Sequence, residues 1–150
     1  MKTYGQFVGL WNISIRYLPL GQPERTAIGE WEFSYALEGR AVIDVWQVPP
    51  RTEVLAGAAT AECGLCVRIY DPVEDVWRFT FHGPLNRRQI NMIAKPIDNE
   101  IVQEYADEHG ELRWIFYDIQ PDSFSWRAER RPRGADAWRI EQFIFAKRAR

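Results

Sequence analysis

TAIGEWEFSYALEGRAVIDVWQV, residues 26–48, decides how the chain reads. Trp31, Phe33, Tyr35 and Leu37 fall at every second position, with Glu30, Glu32 and Ser34 between them. EGR (38–40) then makes a tight turn, and AVIDVWQV (41–48) runs on as a further extended segment. Alternation with period two is the mark of a half-buried β-strand, and two such runs joined by a short turn read as a hairpin.

The same period extends in both directions. In FVGLWNISIRYLP (7–19), Trp11, Ile13, Ile15 and Tyr17 share one face, and Asn12, Ser14 and Arg16 share the other. Downstream, CGLCVRIYD (63–71), PVED and VWRFTFHG (76–83) read as a hairpin, followed by the strand RRQINMIAKP (87–96) and the turn IDN. EIVQEYAD (100–107), EHG and ELRWIFYDI (111–119) form another hairpin. DSFSWRAERR (122–131), PRGAD and AWRIEQFIFAKR (137–148) form the last. TEVLAGAATAE (52–62) is the exception, small and flexible, and reads as a loop or short helical turn. About ten strands in consecutive hairpins predict an all-β, antiparallel up-and-down meander. Such a sheet removes its exposed edges most simply by closing into a barrel; an open two-sheet sandwich is the alternative. The whole chain, 1–150, suits a single domain.

Bulk properties narrow the function classes. The chain is 46% hydrophobic with seven Trp and has a formal net charge of −2. That composition excludes a disordered chain and argues against a nucleic-acid partner. No run of 18 apolar residues is present, so no membrane span is expected. MKTYGQFVGLWNIS lacks the long apolar core of a signal peptide, which favours a cytoplasmic protein. The segment 127–150 is locally basic, with eight Arg or Lys to three Asp or Glu and its densest part at ERRPRG (129–134). A solvated hairpin turn is the simpler reading of it. CGLC (63–66) continues as a strand and lacks the histidines that a zinc site would need, so both cysteines read as ordinary small residues. No metal site or cofactor is expected: the phosphate-binding glycine pattern and the G-x-S-x-G nucleophile pattern are both absent.

Against that background GLW (9–11), GEWEF (29–33), LEGRAVIDVWQVP (37–49), VRIYDPVEDVWRFTF (67–81), LRWIFYDIQPDSFSWRAE (112–129) and AWRIEQFIFAKR (137–148) form an ordered series. It resembles a bacterial group of lipocalin-like, calycin-type domains whose function is largely unassigned. The resemblance spans about residues 7–148. It implies an antiparallel barrel of eight to ten strands with one closed end and an interior cavity. It also implies that Trp11 packs across the closed end under an Arg from the last strand, best matched by Arg148.

Candidate chemistry concentrates on one strand. Asp44 sits between Val42 and Trp46 in a segment whose two faces both look covered. A buried carboxylate is costly unless it is paired, and an Arg fork is the natural partner. Arg68, between Cys66 and Tyr70, is the first choice, with Arg40 as the local alternative. His82, ending its strand at HGP, is the other acid–base group. Trp31, Tyr35, Trp46, Trp77, Tyr105, Trp114 and Trp126 supply large rings. Most of these belong to the core, and Trp46, Tyr70, Trp77, Asn91 and Trp126 are the candidates for contact with a ligand.

Three functions are compatible with these residues. The leading one is binding of a small hydrophobic ligand inside the barrel, with Asp44 and Arg68 fixing its polar end. The second is acid–base catalysis of isomerase, cyclase or lyase type on the same barrel, with Asp44 or His82 as acid or base and Arg68 stabilising negative charge. The third is an interaction module with a filled barrel. A Trp-rich sheet is also compatible with a homodimer.

Overall fold

The computed structural model describes residues 2–150. Ten antiparallel strands form a closed barrel: β1 (Gly9–Tyr17), β2 (Arg25–Ala36), β3 (Ala41–Val48), β4 (Glu62–Asp71), β5 (Val76–Gly83), β6 (Arg88–Ile97), β7 (Glu100–Asp107), β8 (Gly110–Tyr117), β9 (Ser123–Pro132) and β10 (Arg139–Arg148). Each strand pairs with its sequence neighbours, and β1 closes the sheet against β10 with Trp11 opposite Arg148. Closure leaves no unpaired edge, which is the problem a ten-strand meander has to solve. The strands fall within two residues of the bounds expected from period two. Two short helices complete the chain, α1 (Lys2–Gly5) and α2 (Arg51–Leu55). The second lies in the segment read as a loop or helical turn; α1 was not anticipated. No described helix is long and apolar enough to cross a membrane.

The lumen faces follow from the alternation: Trp31 and Phe33 on β2, Val42 and Asp44 on β3, Cys66 and Arg68 on β4, Trp77, Phe79 and Phe81 on β5. Tyr35 and Leu37 keep the parity of Trp31 but lie at the end of the hairpin, where they are exposed.

One half of the lumen is packed with rings. Tyr4 of α1 and Phe7 just after it enter the barrel end, where Phe7 lies 4.9 Å from the rings of both Phe116 and Phe124, and Tyr4 lies 5.1 Å from Trp77. Trp11 packs edge-on to Phe124 at 4.8 Å and donates through Nε1 to the Phe7 carbonyl at 2.6 Å. The Arg148 guanidinium covers the Trp11 ring at 4.1 Å, as the resemblance implied, and it also donates to the carbonyls of Val8, Gln6 and Pro121. Gly9, the first residue of GLW, has φ of 126°, and a Cβ there would press on Arg148 Nη1. The positive φ is what calls for glycine here, and a side chain would in addition have to push the Arg148 guanidinium aside.

Candidate functional site

The other half of the barrel is not filled. A cavity of about 360 Å³ opens at the end formed by Tyr17, Glu62, Leu85, Asn86, Arg88 and Glu141. That volume lies within the range of small-molecule sites, about 300–1,000 Å³. Its walls are aromatic and apolar, with Trp46, Phe81, Trp114 and Trp126 foremost. Trp114 packs against Phe81 at 5.1 Å, Phe79 at 5.7 Å and Trp126 at 5.8 Å, so the rings brace one another.

The wall at Trp46 depends on a glycine. Gly64 is the cross-strand partner of Trp46, and a Cβ on it would run into the Trp46 indole nitrogen and the Phe81 ring. The missing side chain is what lets the indole lie across β4. This is also the structural meaning of CGLC: its glycine is a packing position. Cys63 and Cys66 are both free, and burial pushes the Cys66 thiol well above its usual range, which leaves it protonated and unreactive.

The floor lies where the filled and open halves meet. Asp44 and Arg68 form an ion pair there through Oδ2 and Nη1, with both side chains at most 1% exposed. They are diagonal neighbours across β3 and β4, since Asp44 stands opposite Cys66. The second carboxylate oxygen of Asp44 accepts from Trp31 Nε1 at 2.6 Å. Arg68 donates through Nε to Gln103 Oε1 at 3.4 Å, and the same oxygen accepts from the Tyr4 hydroxyl at 3.0 Å. Gln103 Nε2 in turn donates to the Trp114 carbonyl at 3.4 Å. The guanidinium also lies 4.5 Å from the Phe79 ring centre and 4.7 Å from that of Tyr4. Burial pushes the Arg68 pKa down to about 10, with the nearby Tyr4 acting in the opposite direction, so the side chain stays charged at neutral pH. A buried charge of this kind is tolerated because its ion-pair partner and acceptors come with it. Arg68 and Gln103 reach the cavity lining; Asp44 does not.

The sequence-derived candidates therefore separate. Arg68, Trp46 and Trp126 line the cavity, and Asp44 supports Arg68 from behind. Arg40, the alternative partner for Asp44, bonds instead to Glu38 and the Leu37 carbonyl at the turn. His82 and Asn91 lie on the outer face, where Asn91 accepts from Thr80 at 3.0 Å. Strand parity explains their position, since Phe79 and Phe81 take the lumen side of β5 and leave His82 outside. Tyr70 has lumen parity but sits at the rim of the filled end, bonded to Asp75 at 2.7 Å. Trp77 packs under Tyr4 in the filled half. Gln103, Gly64 and Trp31 complete the site without having been singled out for it. Gln103 carried the same signal as Asp44, a polar residue at a lumen position between apolar neighbours.

No protein-family model matches the chain, and no curated protein matches it. Solved structures do. Rv2717c from M. tuberculosis aligns with a TM-score of 0.70 at 11% identity, over 99% of this chain and 96% of its own. The S-type phycobiliprotein lyase CPES from Guillardia theta aligns with a TM-score of 0.65 at 7% identity, over 99% of this chain and 92% of its own. At such identities the likeness establishes the fold alone, and it fits a lipocalin-like, calycin-type barrel.

Proposed function

We propose that the protein binds a small, mainly hydrophobic molecule in the open half of its barrel. The body of the ligand lies against Trp46, Trp114 and Trp126, and a neutral acceptor such as a carbonyl points to Arg68 and Gln103. The observation that carries this reading is the contrast within one lumen. Rings fill one half, whereas the other keeps about 360 Å³ open above a polar floor. A buried apolar pocket with a few placed polar groups is the usual form of a ligand site. A guanidinium carries five N–H donors; Arg68 is ion-paired with Asp44 and bonds Gln103 through Nε, and its side chain still reaches the cavity lining, where it can meet a ligand acceptor. Asp44 neutralises Arg68, so the floor favours a neutral acceptor over a second carboxylate.

The acid–base reading lacks support of this kind. Asp44 is held by Trp31 and Arg68, and His82 is on the far side of the sheet. The likeness to a lyase barrel is one of fold, and fold does not carry activity. The interaction-module reading required a filled barrel, which the cavity opposes.

Titration with N-phenyl-1-naphthylamine, a neutral apolar dye, tests the proposal. Binding is expected to brighten and blue-shift the dye and to quench Trp emission. Ala128→Phe, which places a ring in the cavity from a lumen position of β9, is expected to abolish both effects while circular dichroism stays unchanged. No dye binding by the unsubstituted protein, or undiminished binding by a folded Ala128→Phe variant, contradicts it.

A further inference from the structure

The lumen positions change character where the strands reach the mouth. Arg88 precedes Ile90 and Met92 on the inward side of β6, and Arg130 follows Trp126 and Ala128 on the inward side of β9. Arg25 and Glu62 open β2 and β4 at the same end. Glu141 joins them through a bulge. Ile140 pairs with Glu129 and Gln142 with Ala128, so Glu141 is the extra residue of β10, and it lines the cavity beside Gln142. Bulges at barrel rims re-aim a side chain in this way.

The ring they form is positive. Glu62 accepts from the Tyr17 hydroxyl at 2.9 Å and faces Arg25 Nη2 at 3.7 Å. Glu141 Oε1 accepts from both Arg130 Nε at 3.0 Å and Arg139 Nη2 at 2.7 Å, so one carboxylate serves two guanidiniums. Arg88 forms no ion pair with any described residue; it shares the cavity lining with Glu141 and the adjoining groove with Arg130. Partial burial and the charge of Arg130 both press its pKa below the ordinary guanidinium value. The remaining acid of the adjoining groove, Asp107, is taken up by the His109 amide at 2.8 Å and the Tyr105 hydroxyl at 3.2 Å. Of this group Arg88, Glu62 and Glu141 line the cavity, and Arg25, Arg130 and Arg139 stand around them on the two carboxylates, four guanidiniums to two acids in a chain whose net charge is −2. Such a patch at a low-dielectric opening focuses attraction for anions.

We propose that this mouth is an oxyanion site: the ligand carries a carboxylate or phosphate at its outer end, received by Arg88 with Arg130 behind it. The inference deepens the cavity reading and rests on it. It also orients the ligand. The floor is already neutralised by Asp44, and a second anion buried there would lose its hydration without a free counter-charge. At the rim an anion keeps part of its water and meets a planar fork suited to two-point contact. The ligand class is therefore an amphiphile, with a neutral apolar or aromatic body inside and an anionic group outside.

Displacement of N-phenyl-1-naphthylamine by decan-1-ol, decanoate and decyl phosphate at low salt provides the test. The readout is the affinity of each anion relative to the alcohol within one protein, so that any general change in affinity divides out. The unsubstituted protein is expected to favour at least one anion by about tenfold, ~1.4 kcal/mol. The anion with the larger preference identifies carboxylate or phosphate as the group. Arg88→Gln is expected to bring both ratios to about one, Arg130→Gln to reduce them, and added salt to shrink the preference. Ratios near one in the unsubstituted protein, or a preference that survives in Arg88→Gln, overturn the anion site while dye and decanol binding leave the cavity reading standing. Failure of both dye and decanol to bind overturns the two together.

Discussion

Asp44 shows why a charge persists inside an apolar strand. It is one arm of a chain of contacts that runs from Trp31 through Asp44 and Arg68 to Gln103 and Tyr4. Removing one partner of a buried pair strands the other, at about 3–5 kcal/mol. Asp44→Asn and Arg68→Met are each expected to cost that order in urea unfolding. The double variant removes both charges and keeps an acceptor for Trp31, and it is expected to lose clearly less than the sum; additive losses would contradict the coupling. Tyr4 gives a pH dependence. Burial raises its pKa from 10.0 to about 12, with Arg68 opposing. The unfolded chain then releases this proton above pH 10 while the folded chain retains it. The contribution is whole below that pH and is lost as pH climbs toward 12, by on the order of 2–3 kcal/mol. Tyr4→Phe should show a shallower alkaline decline in its denaturation midpoint, and an unchanged slope would refute the assignment. The pairing of Asp44 with Arg68 was legible from sequence, because a lone carboxylate and a lone guanidinium stood on strands that could neighbour each other. The role of His82 was not, because parity groups residues without saying which group faces the lumen.

At the scale of the element, β3 and β4 explain that ambiguity. Their outer faces carry Ile43, Val45, Leu65, Val67 and Ile69, so neither face announces itself by charge. On β1 and β2 the polar residues mark the outside and alternation alone decides. Strand bounds were accessible for a local reason: period two and turn residues are written in adjacent positions. The bulge at Glu141 and the packing of Gly64 against Trp46 depend on partners from other strands, and no local pattern records them. Gly64→Ala is the test at this scale. The added methyl must displace the Trp46 indole or the Phe81 ring, both in the cavity wall. Dye affinity is expected to fall by about tenfold, equivalent to ~1.4 kcal/mol, with the strand content kept. Affinity equal to that of the unsubstituted protein would show that Trp46 is not part of the binding wall.

The whole molecule is a barrel divided across its axis, and the division assigns its seven Trp to three environments. Trp11 and Trp77 belong to the filled half, where α1 and Phe7 supply the plug. Trp31, Trp46, Trp114 and Trp126 border the cavity. Trp138 lies outside, flanked by Arg113 at 3.9 Å and Arg131 at 5.0 Å. The closed end was partly legible, since GLW and the late Arg148 resembled a known arrangement. The plug was not, because α1 is too short to carry a helical period. Indole N–H resonances followed by two-dimensional NMR during titration with decan-1-ol test the central claim most directly. The account predicts saturable shifts at Trp46, Trp114 and Trp126, with Trp31 following and Trp11, Trp77 and Trp138 unmoved. Shifts centred on Trp138 or on the filled half, or no saturable shift at any indole, would contradict it.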